Sequence, residues 1–396
     1  MATRAKTLAL RFVLLVGAMS FCADFVYEGA RSVLGPYLAI LGASGTAVGV
    51  VTGFGELAGY ALRLVSGRLA DRTRRFWPIT IVGYVVQMAA VPALALAGSW
   101  PAAAALLILE RIGKATRNPP RDVMLSHAGK EMGGYGWAFG LHEALDQCGA
   151  FVGPLVVALV LAKRGDYHLA FTILAVPAAA TLALLAVARL LYPRPEEMES
   201  RSSESAGEAE KKLPRAFWIY LGGASLVGAG FADFPLIAFH FHRAATVTGS
   251  AVPVFYAVAM GTSGLGSLVW GRLFDRRGLG ILIPLTIVSA AFAPLVFLGG
   301  FWPALVGAAL WGLGMGVHES IMPAAVAPMV PTAHRATAYG LFTAIYGVGW
   351  FLGSALIGAL YDLSAAAAAV ACVGLELAAL PFFFACRKGS LRVKGR

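Results

Sequence analysis

"SGRLADRTRR", residues 66–75, sets four arginines and an aspartate between two stretches that carry almost no charge, and "WGRLFDRRGL", residues 270–279, nearly repeats it. The surrounding chain explains the contrast. Its 396 residues are 58% hydrophobic and only 13% charged, with a mean hydropathy of +0.73. That is more apolar surface than a soluble core hides, so the solvent is lipid. Backbone polar groups in lipid are satisfied within one segment only by helices, and the apolar runs are too long and unbroken for barrel strands. The sequence therefore predicts an all-α membrane protein in which the arginine-rich phrases are loops.

The net charge of +11 does not signal a nucleic-acid partner, because the cations gather in alternate loops, as orientation in a bilayer demands. Apolar runs broken by Gly, Pro or charge fall near 8–30, 46–68, 76–98, 101–126, 134–162 and 168–192, then near 215–241, 249–271, 279–300, 302–328, 334–360 and 363–386. This predicts twelve transmembrane helices. Between the sixth and seventh, residues 193–215 are polar, rich in Ser and Glu and without aromatics, the composition of a solvated linker. The chain thus divides into an N-terminal six-helix bundle at 1–192, a linker at 193–214 and a C-terminal six-helix bundle at 215–396. Loops near 1–11, 68–75, 121–131, 189–215, 272–277 and 387–396 are basic, whereas "GASGT" (42–46), "GSWPA" (98–102) and "GGFWPA" (299–304) carry no cation. Both termini and the linker are expected in the cytoplasm, with the chain in the inner (plasma) membrane. The N-terminal stretch reads as a retained first helix, since no small-residue cleavage site precedes a polar mature chain. Cys22, Cys148, Cys372 and Cys386 lack metal or disulfide spacing and read as small packing residues.

The two halves repeat one another. "GRLADR" (67–72) returns as "GRLFDR" (271–276), "CADF" (22–25) as "FADF" (231–234), and "GLHEALDQCGAFVG" (140–153) as "GLFTAIYGVGWFLG" (340–353) with its glycines in register. Parallel repeats imply a pseudo-twofold axis along the membrane normal, with a solute held near the midplane. Twelve spans in two repeats, with Gly-x-x-x-Asp-Arg after the second and eighth helices, resemble the major facilitator superfamily of secondary transporters. The resemblance implies a cytoplasmic latch in each half, formed by Gly67, Arg68, Asp71 and Arg72 and by Gly271, Asp275 and Arg276. "LILERIGKATR" (107–117) carries the family's fourth-helix Leu-x-x-x-Arg at Leu107 and Arg111, with Ala115 and Arg117 where glycines are usual. "GAFVGP" (149–154) is similar to the fifth-helix antiporter motif, with Val157 and Ala158 in place of its Gly-Gly pair. That likeness points to efflux by antiport, and a kink or close packing contact is the other reading of the same residues.

An ionisable group at membrane depth costs roughly 2.5–3.5 kcal/mol on insertion scales, so each is expected to face a cavity or a partner. Asp24, Glu28 and Arg31 share one face of the first helix beside Tyr27, and Glu56, Tyr60 and Arg63 share one face of the second. Glu110, Lys114, Arg117 and Arg121 form a stripe on the fourth, followed by Asp122 and by two prolines, Pro119 and Pro120, expected to disrupt the helix end. His142, Glu143 and Asp146 of the fifth are expected to pair with Arg117 or Arg121. Two roles stay open for this group: a salt-bridge cage that shifts between states, or direct contact with solute. Asp24 and Glu28 read as proton or solute ligands, or as partners of Arg31 alone; a carboxylate whose arginine contact changes with state would carry protons. In the C-terminal half Asp233 echoes Asp24, His318 and Glu319 are proton or solute candidates, and His240 and His242 are expected at the interface. Trp311, Tyr339, Tyr346 and Trp350 either wall an apolar part of the cavity or face lipid.

Other chemistries fit less well. "HEALD" (142–146) has Asp146 where a His-Glu-x-x-His zinc site needs histidine, so no intramembrane metalloenzyme is expected. No phosphate-binding loop occurs, and energy is expected from an ion gradient. The sequence thus predicts a secondary transporter, not an enzyme, that moves a small organic solute by proton-coupled efflux. The alternatives are symport of an anionic or zwitterionic solute, or export of a divalent metal. Its expected partners are the solute, protons and membrane lipid, with no nucleic acid, cofactor or resident metal, and the expected state is a monomer.

Overall fold

In a computed structural model of the chain, the described residues are 2–131, 135–195, 213–322, 325–326, 329–330 and 335–393; side chains at 2–5, 71, 129–131, 135–140, 268, 271, 272, 275, 335–337 and 387–393 lie outside the description. The helices of the N-terminal part are α1 (Ala2–Ile40), α2 (Gly45–Thr73), α3 (Phe76–Ala93), α4 (Trp100–Glu131), α5 (Tyr135–Arg164), α6 (Tyr167–Ile173) and α7 (Ala175–Leu191). Those of the C-terminal part are α8 (Arg215–Gly230), α9 (Phe234–Arg243), α10 (Val252–Arg277), α11 (Leu282–Ala290), α12 (Phe292–Leu298), α13 (Phe301–Gly316), α14 (Arg335–Leu363), α15 (Ala365–Ala378) and α16 (Leu380–Val393). A π-helical turn, Val317–Ile321, extends α13. Among the described residues there is no strand, and ten stretches are long and apolar enough to cross a bilayer. Two further expected spans correspond to α4 and α10, of 32 and 26 residues. At about 1.5 Å per residue both exceed a hydrocarbon core of about 30 Å. Charge in α4 and a Gly/Ser/Thr run in α10 lower their hydropathy. The linker residues 196–212 lie outside the description.

Several sequence expectations change. The first span runs to Ile40, not to residue 30, because Arg31 is buried within the helix, where it donates to the Tyr27 hydroxyl at 2.8 Å, instead of ending it. Asp24 therefore lies near the helix middle. Pro119 and Pro120 do not disrupt α4, which continues through both. A proline at 119 leaves the Ala115 carbonyl without its helical donor, and the Ser66 hydroxyl of α2 donates to that carbonyl at 2.8 Å. Next to Ser66, a Cβ on Gly67 would come within 3.5 Å of Pro119, so the first arginine-rich phrase begins on a surface shaped by α4. The seventh span is broken at Phe231–Asp233: Pro235 has no N–H and sits in the first turn of α9, where none is needed. Cys148 is exposed, not packed.

Two compact units are present. One comprises the described residues within 1–33 and 58–204, the other those within 34–57 and 205–396. The boundary thus crosses α1 and α2 instead of following the linker alone, because the far end of α1 and the near end of α2 pack with the C-terminal helices. Within this second unit a Cβ on Gly49 would overlap the Ser354 carbonyl of α14, and one on Gly53 would lie 2.8 Å from Ser354 Cβ. Asp362, near the end of α14, accepts the amides of Gly45 and Thr46 at 2.8 Å each and the Thr46 hydroxyl at 2.6 Å. These are free donors of the first turn of α2, where a carboxylate also meets the positive end of the helix dipole. Within the first unit, Gly149 and Gly153 of α5 lie against the Phe21 and Phe25 carbonyls of α1, where a side chain would overlap.

Candidate functional site

The buried charges of the first unit centre on α1 and α4, with uncharged polar partners on α3. Arg117 is 1% exposed. Its Nε donates to Gln87 at 2.6 Å, its Nη1 donates to the Tyr84 hydroxyl at 2.9 Å, and its Nη2 lies 3.5 Å from Asp24 Oδ1. Gln87 in turn donates to Glu110 at 2.8 Å, and Glu110 lies 3.7 Å from Arg111. The planar guanidinium suits this use, since its fixed fork reaches three partners at once. Asp24 has a looser hold. Lys114 Nζ is 3.9 Å from its Oδ1, and that atom, although buried, makes no hydrogen bond.

Tyr27, one turn beyond Asp24, carries three cations about one ring. Lys114 Nζ is 3.7 Å from the ring centroid, with Arg111 at 4.9 Å and Arg31 at 5.8 Å. Lys114 keeps 17% of its side chain exposed and Arg111 16%, so these two cations are the accessible part of the cluster. Glu28 is buried on the same helix, and Glu56, in the second unit, is half-buried. One turn beyond Arg117, Arg121 donates to Asp122 at 2.8 Å and 3.0 Å and to Ser20 at 3.2 Å, while Ser20 also bonds His142 Nε2 at 2.8 Å.

The hydrogen bonds differ from the expected pairing, and the charges agree with it in part. Arg117 bonds Gln87 and Tyr84 beside Asp24, and Arg121 bonds Ser20, which also bonds His142; of the fifth-helix group it is Asp146 that faces both arginines electrostatically. Asp24 is not the partner of Arg31, which bonds Tyr27. Glu143 is exposed and accepts from Gln147 at 3.0 Å. Asp146 lies within electrostatic reach of Asp24, Arg117 and Arg121, with one buried carboxylate oxygen lacking a hydrogen bond. In the latch phrases Arg68, Arg72 and Arg276 are exposed, while the side chains of Asp71 and Asp275, and Gly271, fall outside the described residues.

In the second unit Asp233 is buried at the break between α8 and α9, accepting from Trp350 Nε1 and from Ser354, each at 3.1 Å. Asp233→Ala is expected to leave two buried donors unpaired at a cost of about 1–3 kcal/mol. Thermal unfolding of the purified protein in detergent checks this, and an unchanged transition would contradict the pairing. His318 bonds the Tyr346 hydroxyl and lies tilted against Phe231 with centroids 4.3 Å apart, whereas neighbouring Glu319 is exposed. His240 is not interfacial but buried, 3.0 Å from the Tyr361 hydroxyl, and only His242 is exposed. Trp311, Tyr346 and Trp350 are buried within the unit and do not face lipid. Among the described residues no three His, Cys, Asp or Glu side chains gather as a metal site.

Ionisable groups buried together among long apolar helices are what a solute or ion pathway through a membrane protein requires. The sequence profile of the Major Facilitator Superfamily matches residues 16–353 and 231–395. The chain belongs to that superfamily, and it is a secondary transporter. An uncharacterized protein of Mycobacterium tuberculosis (strain ATCC 25618 / H37Rv) is 44% identical over 390 residues, covering 98% of this chain and 95% of that one. An uncharacterized MFS-type transporter of Methanocaldococcus jannaschii is 25% identical over 366 residues, 89% of each chain. The crystal structure of the nucleoside transporter NupG superposes with a TM-score of 0.74 at 16% identity, covering 95% of this chain and 98% of that chain.

Proposed function

We propose that the protein moves a small organic anion, or the acidic end of a zwitterion, together with a proton by alternating access, the anion loading at Lys114 and Arg111 and the proton at Asp24, which Arg117 holds in place. The observation that supports this is the hold on Asp24. Its Oδ1 is 3.5 Å from Arg117 and 3.9 Å from Lys114 without a hydrogen bond. A carboxylate held by charge alone is exchangeable for the carboxylate or phosphate of a solute. Once an anion engages Lys114 and Arg111, Asp24 loses attraction and gains repulsion, and it becomes neutral by taking a proton. The two cargoes thus load together. Proton–anion cotransport is therefore favoured here over the antiport that "GAFVGP" resembles, since Gly149 and Gly153 of that motif are engaged in packing against α1. With the termini cytoplasmic and the chain a monomer in the plasma membrane, the Gly45–Asp362 contact closes the outer end of the second unit.

A stability-shift screen of the purified protein tests the solute class. A ligand at 100 times its Kd stabilises by about 2.7 kcal/mol. Carboxylates and phosphate esters are expected to raise the unfolding temperature, more at low pH than at high. Lys114→Ala is expected to weaken that binding about tenfold or more, as loss of a charge-assisted contact does. Stabilisation by cations alone would overturn the reading.

A further inference from the structure

Glu376 lies in the middle of a membrane span, fully buried in the second unit, and neither of its carboxyl oxygens has a hydrogen-bond partner. It packs on the broken seventh span: a Cβ on Gly230, the last residue of α8, would lie 2.9 Å from Glu376 Cγ and 2.8 Å from the Cys372 carbonyl. The Ser289 hydroxyl, at the end of α11 beside a second helix interruption, lies near the carboxyl but outside hydrogen-bond geometry and makes no hydrogen bond of its own. Ser289, Gly314 and Phe231 converge there, since a Cβ on Gly314 would lie 2.5 Å from Ser289 Oγ and 2.8 Å from the Phe231 ring.

Among the described residues no cation acts on this carboxyl to hold it ionised. The helices α11 and α12 carry no ionisable side chain, and the Arg215 and Tyr220 of α8 lie at its opposite end. On α14, Tyr346 engages His318 and Tyr361 engages His240. Cys372 is the titratable neighbour on α15 itself, and Asp233 at the break is held by Trp350 and Ser354. An isolated charge in such surroundings is far costlier than a neutral acid.

We infer that Glu376 is a second proton-binding site, holding its proton in this conformation and releasing it when the break at 231–233 rearranges and admits water. The step is a dissociation in which the carboxyl O–H bond breaks, the proton passes to water and a carboxylate remains. Its placement between two interrupted helices couples that step to opening of the unit, because those are the segments whose backbone changes with least loss of helical hydrogen bonding. The inference rests on the chain being a transporter, not on the identity of its solute. Neither measurement below needs a solute, so failure of the anion screen and failure here are distinguishable.

Infrared difference spectra of the full-length protein in liposomes, stepped between about pH 5 and about pH 9, are expected to show a protonated-carboxyl band. That band should be absent in Glu376→Gln and shifted in Glu376→Asp, a variant that keeps the acid should the amide fold poorly. The second measurement is maleimide labelling of a cysteine placed at Val48, which is buried where α2 meets the C-terminal helices, in a background without the four native cysteines. With each rate divided by that of the denatured protein at the same pH, which removes the thiolate's own pH dependence, raising the pH is expected to speed labelling about tenfold in the parent and less than about twofold in Glu376→Gln. A band unaltered by either variant, or identical pH dependence of labelling in parent and Glu376→Gln, would overturn the inference.

Discussion

Arg117→Met is expected to abolish transport and to lower stability by about 3–5 kcal/mol, the range for breaking a buried ion pair from one side. The substitution keeps the side chain's bulk but removes the donors to Gln87 and Tyr84 and the charge beside Asp24. Asp24 would then face Lys114 alone at 3.9 Å, and Gln87, which orients Glu110, would lose its own anchor. Arg117→Lys is expected to recover part of the stability and little of the transport, because one ammonium group cannot span three partners fixed on α1 and α3. Thermal unfolding in detergent separates the cases. Equal unfolding temperatures for the parent and the methionine variant would mean that this network does not form.

Gly49→Val acts within the second unit and on a different quantity. Its side chain would meet the Ser354 carbonyl, a backbone atom that cannot swing aside, with Gly358 Cα 3.1 Å away. Overpacking of this kind costs about 1–3 kcal/mol, and a conformational balance shifts tenfold for about each 1.4 kcal/mol. The closed contact between α2 and α14 should therefore open, and labelling of a cysteine at Val48 should rise about tenfold or more. Asp362→Ala should move it the same way by a smaller factor, since the Gly45 and Thr46 amides can turn to water. Labelling no faster than in the parent would show that this contact does not govern opening.

Much of this was legible because lipid imposes simple constraints. Apolar length located the spans, and the repeat of "GRLADR" as "GRLFDR" identified the superfamily. Partners across helices were less accessible to reading. The four charges of α4 fall on one stripe by spacing, but whether Arg117 meets Asp146 or Asp24 depends on the rotation of each helix. Its actual partners Tyr84 and Gln87 are inconspicuous on α3. Charge also misplaced boundaries: Arg31 looked like a helix end, yet the Tyr27 hydroxyl one turn earlier on the same helix accepts from its guanidinium and the helix carries it inward. The series Gly45, Gly49 and Gly53 was a visible signal of close helix approach, and Glu376, alone in its apolar span, was a visible signal of a buried acid. Neither has an echo in the other half, and the repeats drew the reading elsewhere. The second-unit assignment of residues 34–57 has no sequence signature, since it follows from which conformation the helices adopt.

The most direct test of the account is the sign of proton exchange on binding. An anionic solute from the stability screen is added to purified protein in weakly buffered detergent solution while the pH is followed. The account predicts net proton uptake on binding in the parent and none in Asp24→Asn. Proton release, or uptake of the same size in Asp24→Asn, would contradict loading of anion and proton at one site.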